Sequence, residues 1–239
     1  IIATGSDLTT ASAGTDNVRF GENAGNSIAS GGIRNVLIGK NAGTALTTGD
    51  SNVAIGWEAL KTEDTHANSV AIGASALATQ NAGADSYNVA VGYNAGTAVT
   101  TGAANTLIGG LAGDAITTGT NNTAVGRDAL GANTTASNNT AVGRDALKAN
   151  TTGDTLVAVG LNALATNTTA ANNVAVGVNA LYLTTTGSEN TAMGKDALRA
   201  NTTASNNTAV GKDALTANTT GTQNTAVGAF ALDANTTAN

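Results

Sequence analysis

A single glycine returns at almost constant intervals along this chain, and that period limits what the chain can fold into. Aligned on the motif Asn-x-Ala-Val-Gly-x-x-Ala-Leu, it stands at Gly21, Gly39, Gly56, Gly73, Gly92, Gly109, Gly126, Gly143, Gly160, Gly177, Gly194, Gly211 and Gly228. The intervals are 18, 17, 17 and 19 residues, then eight of 17. A period of this length marks a repeat architecture, in which each unit buries its apolar face only by stacking on its neighbours.

The columns around the glycine predict the shape of one unit. A large apolar residue precedes it every time, from Phe20 and Ile38 to Val210 and Val227. Three residues after it stands Ala in all thirteen copies, followed by Leu or Gly. Four residues before it stands Asn in eleven of thirteen, the exceptions being Ser69 and Leu156. Thr-Thr follows eight and nine residues after it in ten copies, as at Thr134-Thr135. The short β-branched segment bounded by Asn and Gly reads as a strand of about four residues. The glycines Gly126, Gly143, Gly160, Gly177, Gly194 and Gly211 suit a corner with positive φ. Asn-Thr-Thr reads as a second short strand or arc leading to a turn. Helical periodicity is missing, and Gly, Asn and Thr oppose a helix.

The expected fold is therefore all-β: a parallel β-solenoid, or β-roll, with one 17-residue coil per repeat. Residues 1–15 read as an N-terminal lead-in or cap and 16–239 as the thirteen-repeat solenoid. Stacking like on like would turn Asn122, Asn139, Asn173, Asn190, Asn207 and Asn224 into a ladder of amides bonded one to the next. Alternation along Val53-Ala54-Ile55 places small or apolar groups on both faces, and Ala129-Leu130, if extended, would do the same. Two dry faces predict an oligomer, one face packing inside the coil and the other against another chain.

Composition narrows the function. Charged residues are 11% and aromatics 3% of the chain, with 30 glycines, no proline and no cysteine. Side chains this small fill only a thin, regular core. The net charge is −6 and basic residues do not cluster, so nucleic-acid binding lacks electrostatic support. No apolar run approaches the roughly 20 residues of a membrane span. The segment reads as a piece of a longer protein. Without Cys there is no disulfide and no thiolate chemistry. Neither a metal nor a cofactor motif is present, and no nucleophile, base or carboxylate pair has a convincing pattern, so an enzyme is not expected.

Ser51-Asn52-Val53-Ala54-Ile55-Gly56 and Asn68-Ser69-Val70-Ala71-Ile72-Gly73 resemble the repeat of trimeric autotransporter adhesin heads. The version Asn-Thr-Ala-Val-Gly-(Arg/Lys)-Asp-Ala-Leu, at 122–130, 139–147, 190–198 and 207–215, resembles repeats of bacteriophage tail fibres and related trimeric bacterial fibres. The autotransporter head repeat is usually shorter than 17 residues, which favours the phage-type fibre. The resemblance implies a homotrimer of parallel rolls on the surface of a virion or a bacterial cell. It implies a structural and adhesive role in host attachment, with a cell-surface glycan or receptor as partner. An ice-binding or surface-layer solenoid is the alternative, raised by the Thr columns, where Asn133 and Thr135 would share a face.

Individual residues add little to this. Trp57 and Tyr93 share the column just after the turn glycine, where other copies carry Arg127, Lys195 or Glu22, so both should be exposed and able to stack on a sugar ring. Tyr87, within a two-residue insertion, joins them as a candidate glycan contact. His66, the one histidine, lies beside Asp64 and Thr65 in the most irregular copy and reads as part of a polar surface loop. Arg127-Asp128, Arg144-Asp145, Lys195-Asp196 and Lys212-Asp213 read as solvated corners whose charges pair one coil apart.

Overall fold

A computed structural model describes residues 14–238, and the lead-in assigned to 1–15 lies almost wholly outside them. Among the described residues the chain winds into a solenoid with one three-residue strand per coil, from β1 (Val18–Phe20) to β13 (Thr225–Val227), and forms no helix. The thirteen strands make one parallel sheet in sequence order. Register follows the repeat: in β3 (Val53–Ile55) and β4 (Val70–Ile72), Val53 pairs with Val70, Ala54 with Ala71 and Ile55 with Ile72. The 18- and 19-residue intervals leave this register intact, with Val18 opposite Val36 and Val70 opposite Val89. At about 4.8 Å per coil, the twelve steps make a rod of roughly 58 Å.

The expected solenoid is thus present, with two local corrections. The strand has three residues, because the Asn before it gives its backbone N–H to an Asn Oδ1 of the preceding coil in place of a carbonyl, as Asn122 does to Asn105 at 3.0 Å. The Asn-Thr-Thr segment is a bend and forms no second strand.

The turn glycines take φ between 128° and 143°. A Cβ on Gly126 would stand 2.6 Å from the carbonyl carbon and oxygen of Gly143 in the next coil, so the column is glycine for coil-to-coil contact as well as for dihedral freedom. More surprising are the leucines four residues after them. Leu130, Leu147, Leu164, Leu181, Leu198 and Leu215 hold φ between 50° and 54°, a left-handed conformation that bulky residues avoid. That turn swings both Ala129 and Leu130 into the coil, where each is fully buried. Extension would have pointed them oppositely, so this half of the two-faced expectation is overturned.

The core is a stack of thin layers that conserve volume by exchange between positions. Where Leu follows the Ala, the side chain three residues further on is polar, as at Asn133, Asn150 and Asn201. Where Gly stands instead, as at Gly25, Gly43, Gly96 and Gly113, that later position is Ile28, Leu46, Val99 or Ile116. The later apolar group shares the vacated space with the inward leucines Leu37 and Leu107: a Cβ on Gly113 would lie 2.8 Å from both Ile116 Cδ1 and Leu107 Cδ2, and one on Gly43 2.8 Å from Leu37 Cδ2.

Candidate functional site

Each strand sends its middle residue inward and its first and third outward. In β3 Ala54 is fully buried while Val53 and Ile55 are partly exposed, as expected from alternation. Repeated through thirteen coils, this builds a flat outer face two columns wide. One column runs Val18, Val36, Val53, Val70, Val89, Thr106, Thr123, Thr140, Val157, Val174, Thr191, Thr208, Thr225. The other carries Phe20, Ile38, Ile55, Ile72, Val91, Ile108, Val125, Val142, Val159, Val176, Met193, Val210 and Val227. No Asp, Glu, Lys or Arg side chain lies in either. Arg19 sits in β1 but at the inward position, where its Nε donates to the Ala24 carbonyl at 2.8 Å.

Behind this face the Asn column is buried, and the expected amide-to-amide bonds form at some steps, as from Asn122 Nδ2 to Asn105 Oδ1 at 3.1 Å, beside a more regular set to the backbone. Asn139 Oδ1 accepts the backbone N–H of Leu156 at 2.9 Å, and its Nδ2 donates to the Gly153 carbonyl at 3.0 Å. Asn190, Asn207 and Asn224 repeat the pattern, each taking its own N–H to the preceding Oδ1. The chain therefore runs mostly side chain to backbone, because the bend of the same coil brings a carbonyl within reach of Nδ2. Leu156 carries no acceptor, so the ladder breaks there and resumes at Asn173, whose Oδ1 takes the Asn190 N–H at 2.8 Å.

A second buried Asn column, which sequence reasoning missed, stands beside the first and shares its carbonyl acceptors, Ala136 and Gly153 among them: Asn133, Asn150, Asn167, Asn201 and Asn218. Asn150 Nδ2 donates to Asn133 Oδ1 at 3.3 Å and to the Gly153 carbonyl at 2.9 Å. Asn133 therefore does not share a face with Thr135, which is exposed. Both threonines of the pair lie outside the core. Thr117, Thr151 and Thr168 donate their hydroxyls to the carbonyls of Thr134, Thr168 and Thr185 in the next coil, at 3.0–3.2 Å. The second threonine stands exposed in nine successive coils, from Thr101 through Thr135 and Thr203 to Thr237.

At the corner after the turn glycine, Trp57 and Tyr93 are 51% and 62% exposed, with Ala74 of the intervening coil between them. Tyr87 is equally exposed, but it occupies the left-handed corner before the strand, φ 51°, in the column of Asn68 and Ala104. The strand separates it from the other two, and the insertion lies upstream of it. The structure brings two of the three candidate glycan contacts onto one corner.

His66 is more than a loop residue. Its Nδ1 lies 3.1 Å from Oε1 of Glu63, a fully buried carboxylate occupying the second Asn column. Gln80 Nε2 donates to Glu63 Oε2 at 2.9 Å and to Ser69 Oγ at 2.8 Å. Two irregular coils are thereby locked by one polar knot, and Glu63, Asp64 and His66 are the one trio of metal-capable groups among the described residues. The carboxylate oxygens of Glu63 are occupied by the imidazole and amide donors. The Arg/Lys–Asp pairs close within a coil, Arg144 Nε to Asp145 at 3.1 Å and Lys148 Nζ to Asp145 at 3.0 Å, so the charges do not mainly pair one coil apart. Lys40–Glu22, at 2.9 Å, is a pair of the expected kind.

Among the described residues no helix is long and apolar enough to cross a membrane. No family model, curated protein or solved structure matches the chain.

Proposed function

We propose that this chain is a rod segment of an extracellular fibre, tail-fibre-like or adhesin-like, assembled as a homotrimer at the surface of a virion or bacterial cell. The observation that carries the reading is the unbroken, in-register stack of thirteen coils. Backbone groups along the sheet pair with the coil above or below, so the rod resists bending without needing a thick core. Its work is display: three parallel copies hold a binding end away from the particle and add their affinities. No catalytic step is assigned to it. The Trp57–Tyr93 corner is the place where the rod itself would touch a cell-surface glycan, through ring stacking.

Light scattering on the purified chain gives the first test. Three times the 23.1 kDa chain mass supports the reading, and a monomer at all concentrations overturns it. Trp57→Ala with Tyr93→Ala should abolish cell attachment while the circular dichroism stays unchanged. Attachment that persists removes the glycan role.

One observation favours a second reading. Nine consecutive exposed threonines, one per coil, form a regular row of hydroxyls and methyls of the kind an ice-binding solenoid presents. Thermal hysteresis in the purified chain would select that alternative.

A further inference from the structure

We infer that the outer face of the sheet is the surface on which a second copy of this chain packs. The inference rests on the reading of the chain as an oligomeric fibre and names the face responsible. The chain holds 10 Lys and Arg and 16 Asp and Glu, and none of their side chains stands in the two outward columns of β1 to β13. The flanking columns are different. The one after the turn glycine bears Glu22, Lys40, Arg127, Arg144, Lys195 and Lys212, and the corner before the strand bears Asp16, Arg34 and Glu189. A sheet face meant for water alternates polar with apolar groups and carries charges against unwanted association. An apolar strip rimmed by charges is the anatomy of an interface.

The length of the strip selects its occupant. It repeats a Val/Thr–Val/Ile pair once per coil, about every 4.8 Å over roughly 58 Å. A globular partner would cover a few coils and leave the rest wet. A surface with the same rise matches every coil, and this chain supplies one. With three-residue strands about 10 Å wide, the strip covers some 580 Å² per chain, so three strips meeting on one axis bury about 1,700 Å² in all. That passes the lower bound of stable, specific interfaces. Side chains of similar height, β-branched at all but Phe20 and Met193, let each strip pack against its neighbours along its whole length.

Val125→Lys with Val142→Lys puts two charges on the strip at partly exposed positions, where a monomer tolerates them. Thr135→Lys with Thr152→Lys places the same charges on the exposed threonine row as a control. The expected result is an oligomer for the unaltered chain and the control, and a folded monomer for the strip variant. A strip variant that keeps the oligomer mass overturns the inference and leaves the oligomeric fibre standing. An unaltered chain that is monomeric sinks both. Should the strip variant fail to fold, spin labels at Val125→Cys and Thr135→Cys decide, since the chain has no other cysteine. The label at 125 should show spin–spin broadening that dilution with unlabelled chain removes and the label at 135 should show less, and no such broadening at 125 overturns the inference.

Discussion

The exchange of volume between two core positions gives a sharp test of how the coil is packed. Leu130→Gly with Asn133→Ile would copy into the seventh coil the pair Gly113 and Ile116 of the sixth. Alone, Leu130→Gly empties a fully buried site, and Leu-to-Ala truncations in cores cost about 2–5 kcal/mol. The left-handed φ of 54° returns part of this, because glycine is relieved of about 1–2 kcal/mol of backbone strain. Alone, Asn133→Ile loses the bonds to the Ala136 carbonyl and from Asn150 Nδ2. Neither partner is orphaned, since Asn122 still serves Ala136 and Gly153 still serves Asn150. The loss is therefore about 1–2 kcal/mol, with about 1–3 kcal/mol added by overpacking against Leu130. In the double variant the isoleucine fills most of the space the leucine left, so the hydrogen-bond loss remains beside a small void where Ala124 stands in place of Leu107. The predicted coupling is favourable by about 2 kcal/mol or more, high within the range measured for touching residues. A long repeat array need not unfold in one step. The suitable measurement is therefore native-state hydrogen exchange of peptides spanning 123–147, compared among the four proteins. Protection in the double variant should recover to near that of the unaltered chain. Exchange as fast as additive single effects require would refute the idea that the two positions share one volume.

Three further outcomes follow from the same geometry. Gly143→Ala should unfold the local coils, because its Cβ would meet the Gly160 carbonyl oxygen at 2.5 Å, whereas Gly110→Ala, with open space around it, should shift the urea midpoint little. Thr184→Asn should stabilise the chain by about 1 kcal/mol in urea titration, since Asn167 Oδ1 is buried without a partner and the new amide would extend the second Asn column to it. Burial first, and the nearby Asp128 charge second, push the Asp114 carboxyl above its ordinary 3.8, so the folded state holds that proton more tightly than the unfolded one. Stability from this group is greatest below 3.8 and falls as pH rises through the higher folded value; Asp114→Asn should therefore raise the midpoint at pH 7, with the gain vanishing below 3.8.

The parts of this fold that could be read from the sequence are those where one backbone constraint acts alone. Gly126 and its equivalents keep one identity because any Cβ would strike the next coil. Ala124 is small where Leu130 fills the coil, whereas Leu37 and Leu107 hold the same inward column where Gly43 and Gly113 leave room. The second Asn column was hidden because it mixes Asn133, Thr184, Gln80, Glu63 and Ile116. Taken singly, that column resembles a variable surface position. Its meaning appears only when it is read against the Leu or Gly three residues earlier, a pairing the sequence did contain. Leucine in a left-handed turn had no such signal, since intrinsic preference argues against it. It persists because the side chain gains more from burial than the backbone loses. The Trp57–Tyr93 corner was legible because exposure can be inferred from the charges that share its column.

Thirteen coils repeat one environment, so each column is a set of trials under the same physical conditions. The column after the turn glycine accepts Trp57, Ala74, Tyr93, Arg127, Leu161 and Lys195, which is the tolerance of a side chain surrounded by water. The two outward strand columns are only partly exposed in most coils, though Met193 reaches 45% and Ile108 39%. They nevertheless admit only Val, Ile, Thr, Phe and Met. β-propensity explains the branched residues but not the absence of every Lys, Arg and Glu, because a strand with one solvated face normally carries them there. Partial exposure alone does not explain that exclusion, which is the sequence counterpart of the packing surface inferred above. On that inference the tolerance of the corner is set by water, and that of the strip by a second chain of the same period.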